Sequence, residues 1–149
     1  MIDVQFQEKL IEVLKSVNGK INVIMRDFYE PYGLTSVQAS VLLELHKNGE
    51  QNITDLCNHL YMGKSNLSPL CKRMEKSGFI ERVRNLKDER YVNIKMTEYG
   101  EKIMKEVTKT LSESIIPTLN EIEEYKKNRI VEGLNILNEC LSLGSNKNI

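Results

Sequence analysis

Basic side chains are concentrated in one stretch of the sequence, between Ile53 and Met96. This stretch carries nine basic and five acidic residues and so a net charge of +4, although the whole chain is neutral. The segments before and after it each carry a net charge of −2. A basic centre between acidic flanks is the asymmetry expected of a protein that contacts nucleic-acid phosphates through one part of its surface.

Two short helices separated by a turn are predicted in the first half of this stretch. Thr54 is the predicted N-cap of a helix that ends at Leu60. A turn follows at residues 61–64, in which Gly63 is the predicted N-cap of the second helix. That helix should end at residues 77–78, where a glycine stands at the position that a C-terminal cap favours.

Two antiparallel strands are predicted in the second half, over residues 79–84 and 91–96, which are rich in β-branched and aromatic residues. The loop between them, residues 85–90, is polar and too long for a tight hairpin, so it should project as a wing. This order of elements is typical of a winged helix-turn-helix, which binds duplex DNA through one helix and one hairpin loop.

The second helix separates apolar from polar residues. Its predicted apolar side is Leu67, Leu70, Cys71 and Met74, and its predicted outward side is Lys64, Ser65, Asn66, Ser68, Pro69, Lys72, Arg73 and Lys76. Small polar side chains at the N-terminal end are suited to base edges, and the longer cations further along are suited to phosphates. Pro69 removes one backbone hydrogen bond, so it indicates either a functional constraint or a tolerated kink.

Long amphipathic helices are predicted on both sides of the basic stretch. Apolar residues recur at spacings of three and four in three series: Phe6, Leu10, Val13, Val17, Ile21, Ile24 and Phe28; Ile103, Val107, Leu111 and Ile115; Ile130, Leu134, Leu137 and Leu141. Asp3 and Thr97 are predicted N-caps, and Pro117 should kink or divide its helix. Because one small domain cannot cover the whole first series, we expect part of it to contact another subunit.

A further helix should begin at the Thr35–Gln38 capping box and stop at residues 48–49, and Ile53 should form a strand of one or two residues. The predicted fold is therefore mainly α with a small β-hairpin wing. Residues 35–96 form the winged helix-turn-helix lobe, and residues 1–33 and 98–144 form the flanking dimerisation helices.

The cysteines and histidines do not form a pattern that predicts an enzyme, a metal site or a cofactor. Cys57, Cys71 and Cys140 lack paired metal-ligand spacing, and the first two lie among apolar residues, which predicts small buried side chains with redox sensing as the alternative. His46 and His59 each lie in an amphipathic helix. No apolar run approaches the roughly 20 residues of a membrane helix, so we expect a cytoplasmic protein without a membrane partner.

The run from Asp55 to Gly100 resembles the MarR family of bacterial transcription regulators, and the long flanking helices match as well. The matching residues are Leu56 and Leu60, Leu67-Ser68-Pro69-Leu70, Arg73-Met74-Glu75, Gly78-Phe79-Ile80, Asp88-Glu89-Arg90 and Met96-Thr97-Glu98 with Gly100. The resemblance implies an obligate homodimer in which the first, fifth and sixth helices interlock.

The resemblance also implies a role for the wing, in which Arg90 enters the minor groove and Asp88 orients its guanidinium, with Arg84 and Lys87 beside them. A narrow, electronegative minor groove attracts arginine, and a carboxylate can hold the planar fork in place. The alternative is a solvated surface ion pair that contributes little.

Within that family, Ser68-Pro69-Leu70 followed by Lys72-Arg73-Met74-Glu75 is similar to the organic-hydroperoxide-sensing branch. That branch uses a reactive cysteine in its first helix, and this sequence has no cysteine there. Other branches bind small phenolic or aromatic anions between the dimer helices and the DNA-reading lobe. No residue here identifies such an effector.

The function expected from these observations is that of a sequence-specific DNA-binding transcription regulator, a homodimeric repressor released by a small-molecule effector. Two copies would insert their recognition helices into successive major grooves of a pseudo-palindromic operator. The alternative is a winged-helix module for protein–protein assembly without specific DNA binding. The outward side of the second helix carries serine, asparagine, lysine and arginine rather than aromatic or aliphatic anchors, which favours DNA.

Overall fold

The computed structural model describes residues 4–84, 86–88 and 90–145, and this part of the chain forms six α-helices and three short strands. The helices are α1 (Val4–Tyr29), α2 (Ser36–Asn48), α3 (Ile53–Leu60), α4 (Lys64–Lys76), α5 (Glu98–Asn120) and α6 (Glu124–Ser145); the strands are β1 (Gln51–Asn52), β2 (Ile80–Arg84) and β3 (Val92–Met96). A 3-10 turn, Glu30–Tyr32, follows α1. The mainly α fold with a small β-hairpin is confirmed. The chain divides into two compact units, Met1–Thr110 and Leu111–Ile149.

Both ends of α2 follow the local signals of the sequence. Thr35 Oγ1 accepts a hydrogen bond from the Gln38 backbone N–H at 3.3 Å, and Gln38 Oε1 accepts one from the Thr35 N–H at 2.9 Å, so the predicted capping box is confirmed. Gly49 ends α2 in a conformation with φ of +73°, which glycine adopts without steric cost. The predicted N-cap Asp3 lies outside the described residues.

The start of α3 differs from the prediction. Asn52, not Thr54, is the N-cap, because Asn52 Oδ1 accepts the Asp55 N–H at 2.8 Å while Thr54 lies within the helix. The two-residue strand is Gln51–Asn52, so the prediction that Ile53 forms it was wrong. Ile53 is instead the first residue of α3 and is buried in the core.

The three strands form one antiparallel sheet in the order β1-β3-β2. The central strand places Ile94 opposite Gln51 on one side and Arg82 on the other. Ile94 is fully buried, and Ile80 at the start of β2 is 1% exposed. The strands begin one residue later than predicted, at Ile80 and Val92, and the hairpin prediction is otherwise confirmed.

The core of the first unit lies between α2, α3, α4, the sheet and the first half of α5. Its large, fully buried side chains are Leu42, Leu45, Leu56, Leu67, Met74, Ile80, Ile94 and Met104, with Val41, Val107 and Cys71. Cys57 is buried as well, so the prediction that Cys57 and Cys71 are small buried side chains is confirmed, whereas Cys140 is exposed.

The N-terminus of α5 packs directly against the chain that leaves α4. Thr97 Oγ1 accepts the Gly100 N–H at 3.0 Å and donates to the carbonyl of Gly78, which confirms Thr97 as the N-cap. A Cβ atom on Gly100 would collide with the carbonyl oxygen of Phe79. The glycine of the Thr-Glu-x-Gly motif is therefore a requirement of close backbone approach rather than of backbone conformation.

In the second unit α5 continues through Pro117 to Asn120 as one helix, so of the two predicted outcomes, a kink or a division, the division was wrong. The Ile122 N–H donates to the Leu119 carbonyl at 3.2 Å in the turn before α6. None of the helices in the described ranges combines the length and apolar character needed to cross a membrane.

A polar cluster joins α2, β1 and α3 within the first unit. Glu44 Oε1 accepts from Asn48 Nδ2 at 2.7 Å and from Gln51 Nε2 at 3.3 Å, and it lies 2.9 Å from His59 Nδ1. The Asn48 hydrogen bond is the main reason that the pKa of Glu44 is lowered from its ordinary value of 4.5; burial opposes this, and Gln51 and His59 lower it further.

Gly100→Ala should destabilise the protein by about 1–3 kcal/mol, because the new Cβ would displace the Phe79 backbone. An alanine in an exposed helix is normally more stable than glycine, so the sign of the effect is diagnostic. Gly133→Ala in α6, where nothing lies within 4 Å of the added Cβ, is the matched control and should be neutral or stabilising. Urea denaturation of both variants checks this, and equal effects would contradict it.

Glu44→Gln should destabilise the fold at neutral pH by an amount that shrinks on acidification. A carboxyl with a lowered folded-state pKa stabilises the protein above its unfolded-state pKa, and that contribution is lost as the pH falls through the folded-state pKa. The difference in unfolding free energy between wild type and variant should therefore narrow as the pH falls from neutrality through the ordinary carboxyl value of 4.5 and then through the lower folded-state pKa. A difference that stays constant over this range would show that charge on Glu44 is not involved.

Candidate nucleic-acid interface

Helix α4 buries one side and exposes the other. Leu67, Cys71 and Met74 are 0% exposed and Leu70 is 7% exposed, as predicted for the apolar side. The exposed residues are Lys64, Ser65, Asn66, Pro69, Lys72, Arg73, Glu75 and Lys76. Ser68 is the exception to the predicted outward set because it is half-buried. The helix runs unbroken through Pro69.

The turn between α3 and α4 has three residues, since Lys64 already belongs to α4 and the predicted turn was one residue too long. Gly63 is the N-cap of α4, as predicted, and its carbonyl accepts from the Asn66 and Leu67 N–H groups at 3.0 Å. The Met62 N–H donates to the Cys57 carbonyl at 3.0 Å, which ties the turn to α3. The angle between the two helices is thus set by backbone hydrogen bonds.

Tyr61 is a residue beside this interface that the sequence reasoning did not include. It has φ of +53°, the one positive value outside glycine in the described ranges, and its side chain is 96% exposed. A left-handed conformation at a non-glycine residue costs free energy and often marks a functional position. Only the mismatch between tyrosine and a helix C-cap, where glycine is usual, could have indicated this from the sequence.

The wing contains an ion pair between Asp88 and Arg90. Asp88 Oδ1 accepts from the Arg90 backbone N–H at 3.1 Å and from Arg90 Nε at 3.3 Å. The Asp88 carbonyl accepts from the Tyr91 N–H at 3.0 Å. The Arg90 side chain is 90% exposed, so the carboxylate holds the inner side of the guanidinium group while the outer part faces solvent. Asn85 and Glu89 of the predicted wing lie outside the described residues.

Arg82 and Lys95 of the basic stretch each lie beside a carboxylate on a neighbouring element. Arg82 Nη1 lies 3.9 Å from Glu75 Oε2, and its side chain is only 25% exposed. Lys95 Nζ lies 3.7 Å from Glu81 Oε2 across the β2–β3 pair. Arg84 and Lys87 are exposed at and beyond the end of β2. The charge count from the sequence therefore includes cations that stabilise the lobe as well as cations that face solvent.

A groove with a volume of about 500 Å³ runs beside the N-terminal half of α4. It is lined by Thr35, Val37, Met62, Ser65, Asn66, Pro69, Leu70 and Arg73. The N-terminal turn of α2 therefore borders the same surface as the exposed side of α4. The sequence reasoning missed this contribution because Thr35 and Val37 lie outside the basic stretch.

The surroundings of the cysteines and histidines are those of structural side chains rather than of reactive or metal-binding ones. Burial raises the pKa of the Cys71 thiol to about 11, against a smaller opposite effect of the nearby Arg82 guanidinium. Little of Cys71 is then the thiolate that reacts with oxidants at neutral pH. His46 Nδ1 lies 3.4 Å from Glu101 Oε2. Within residues 4–84, 86–88 and 90–145, no group of three histidine, cysteine, aspartate or glutamate side chains has the arrangement of a metal site.

Comparison with known proteins places this geometry in a family. Residues 24–107 match the family model described as transcriptional regulator SarA/Rot. The chain belongs to the SarA/Rot family of transcriptional regulators. It is 32% identical over 108 residues to the HTH-type transcriptional regulator SarZ of Staphylococcus epidermidis, and the match covers 72% of each chain. The SarA/Rot chain described here is thus a DNA-binding transcription regulator of the helix-turn-helix type.

Solved structures extend the likeness to the whole fold. AbsC, a MarR family transcriptional regulator from Streptomyces coelicolor, is similar with a TM-score of 0.80 and 21% identity over 95% of this chain and 97% of that one. The structure of reduced AbfR bound to DNA is similar with a TM-score of 0.73 and 23% identity over 92% of this chain and 94% of that one. The winged-helix fold and the resemblance to the MarR family are confirmed.

Proposed function

We propose that this SarA/Rot regulator binds a pseudo-palindromic duplex as a homodimer, with α4 in the major groove and the wing at the adjacent minor groove. The observation that carries the proposal is the Asp88–Arg90 pair. It holds an exposed guanidinium on the wing of a lobe whose α4 also exposes small polar and basic side chains. AbfR, which has a similar fold, has been solved bound to DNA.

The outward residues of α4 fall into two groups according to the length of their side chains. Ser65 and Asn66 lie in the first turn, where short side chains can hydrogen-bond to base edges, and Ser68 and Pro69 contribute shape beside them. Lys64, Lys72 and Arg73 carry long cationic side chains suited to phosphate oxygens. Phosphate contacts fix the register of the helix, and base contacts select the sequence.

At the wing, Arg90 enters the minor groove and Arg84 and Lys87 contact the flanking phosphates. A narrow minor groove has an enhanced negative potential, which favours an inserted arginine over A·T-rich sequence. Asp88 faces Arg90 from within the same loop and limits the orientations of its guanidinium. This arrangement lowers the conformational entropy that is lost when Arg90 enters the minor groove, because its planar guanidinium is already oriented before DNA binds.

The homodimer is proposed from exposed apolar side chains. On α1, Val13, Val17, Ile21 and Ile24 are each between 44% and 50% exposed. On α6, Ile130 and Leu134 are 51% and 56% exposed. Large apolar side chains at helical spacing and exposed in this number are typical of an oligomer interface. Residues 1–33 and 98–144 are accordingly proposed as dimerisation helices, and residues 35–96 as the DNA-binding lobe.

In the proposed mechanism the bound dimer represses transcription by occluding the promoter in the cytoplasm. A small aromatic or phenolic effector releases it by changing the separation of the two lobes. Such an effector acts only if it binds the two states of the dimer with different affinities. No cofactor and no metal ion are required.

Selection of bound sequences from random duplex DNA tests the proposal. We expect a near-palindromic site with half-sites about 10 base pairs apart and two chains per duplex in sedimentation analysis. Gel shifts with small aromatic acids then test the effector, which should release DNA while the dimer stays intact. A monomeric protein, or one that binds no duplex at low salt, would refute the proposal.

Arg90→Ala should weaken operator binding by about tenfold or more, because a charged hydrogen-bonding group is lost from the minor groove. The loss should be larger for operators with A·T-rich flanks than for G·C-rich ones. Fluorescence anisotropy on the two operator types measures it. Arg90→Lys, which keeps the charge but not the planar fork, should recover only part of the affinity. Equal affinities of the alanine variant and wild type would exclude the wing.

Lys72→Ala should weaken binding to all duplexes by a similar factor and reduce the slope of log affinity against log salt by about 1. Lys47→Ala is the matched control, because it removes the same charge from the exposed C-terminal end of α2, far from the groove that borders α4. Salt titrations of both variants make the comparison. A loss confined to one base position would contradict a phosphate role for Lys72.

A further inference from the structure

Helix α4 contains one acidic residue, Glu75, and its carboxylate is directed to β2. Glu75 Oε1 accepts the backbone N–H of Arg82 at 3.2 Å. Glu75 Oε2 lies 3.9 Å from Nη1 of the same arginine. One carboxylate on the recognition helix therefore contacts both the main chain and the side chain of a single strand residue.

Arg82 is held within the lobe. It lies opposite the fully buried Ile94 in the β2–β3 register, and its guanidinium is near the buried Cys71 thiol of α4. Its Nε atom is buried and has no hydrogen-bond partner in the described ranges. Burying part of a guanidinium without full hydrogen bonding is unfavourable, so packing at this position outweighs a solvated orientation.

We propose that Glu75 and Arg82 are positioning residues that fix the wing relative to the recognition helix. This inference rests on the proposed function. Only residues 77–79 join α4 to β2 along the chain, and Gly78 within them has φ of +79°. Backbone contacts of Gly78 and Phe79 hold this corner, and the Glu75–Arg82 contact adds a connection between side chains that further limits the angle between the two elements. Arg82 lies two residues before Arg84, which is the last residue of the strand that leads into the wing.

The Glu75–Arg82 contact also reduces the electrostatic repulsion between the Glu75 carboxylate and the phosphates of bound DNA. A free carboxylate on α4 would repel the phosphates that Lys72 and Arg73 attract. Directing Glu75 to Arg82 pairs its charge and turns it to the lobe, although the side chain remains 41% exposed. Positioning and charge pairing both depend on the carboxylate, so one substitution tests them.

A double-mutant cycle tests the proposal with the full-length protein. Glu75→Ala is combined with Arg90→Ala, and operator affinity is measured for the wild type, each single variant and the pair. Glu81→Ala is the matched control: it removes one negative charge from the neighbouring β2 and breaks only the exposed contact to Lys95. Glu75→Gln, which keeps an acceptor for the Arg82 N–H, separates the hydrogen bond from the charge.

We expect Glu75→Ala to weaken operator binding by about tenfold in the wild-type background and to have little further effect when Arg90 is already alanine. Glu81→Ala should bind equally or slightly more tightly, because it loses a charge that repels phosphates. Glu75→Gln should be intermediate. Additive losses from the Glu75 and Arg90 substitutions, or equal behaviour of Glu75→Ala and Glu81→Ala, would overturn the inference.

Amide hydrogen exchange of the free protein gives a second measurement that needs no DNA. Exchange at Arg84, Tyr91 and Val92 should be faster in Glu75→Ala than in Glu81→Ala at equal global stability. Unchanged exchange would overturn the positioning role even if the operator affinity falls. A wild-type protein that binds no duplex would refute the proposed function instead, and the exchange result would still decide this inference.

Discussion

The burial of one side of α4 is the interaction on which the interface depends. Leu67, Cys71 and Met74 are completely excluded from solvent, and each large apolar side chain buried in this way stabilises the fold by about 1.5–3 kcal/mol. Rotating the helix by one residue, or about 100°, would expose these side chains and bury Lys72 or Arg73. The set of residues that can face DNA is therefore fixed by the core and does not depend on contacts among the polar side chains themselves.

A second constraint lies where the chain leaves α4. The Gly78 carbonyl accepts from the Thr97 hydroxyl, and the Phe79 carbonyl lies against Gly100. The start of the hairpin and its return are thus connected to the same turn of α5. Because the first turn of α5 is placed by its contact with the end of α4, a displacement of α5 would also displace the base of the wing. This coupling depends on the Thr97 hydroxyl and on the missing side chain of Gly100 as well as on the backbone groups of Gly78 and Phe79.

Features that depend on residues close in the sequence were predictable, and those that depend on tertiary contacts were not. The Thr35–Gln38 capping box and the apolar side of α4 follow from spacing alone. Asn52 and Thr54 are both good N-cap residues, and the choice between them is made by the pairing of β1 with β3, which only the fold shows. Pro117 lies within an unbroken helix, because the preference against proline in a helix interior does not by itself end the helix.

In the candidate site, too, the features set by residues close in the sequence were predictable and those set by tertiary contacts were not. Spacing and charge indicate which residues of α4 face outward, but not that Arg82 is held by Glu75, because that pair is separated by a helix end and a strand start. Nor could the sequence show that the N-terminal turn of α2 borders the groove beside α4.

The distribution of charge also affects how the proposed interface finds its target. The chain is neutral as a whole, with the basic stretch at +4 and each flank at −2. Nonspecific affinity for DNA depends on the number of phosphates that cations neutralise, whereas acidic surfaces elsewhere are repelled by the duplex. Acidic flanks therefore lower the total attraction to DNA, and the attraction that remains is centred on the basic stretch. In the proposed complex, encounters with DNA are biased towards orientations that present this stretch, in which Ser65 and Asn66 can reach base edges.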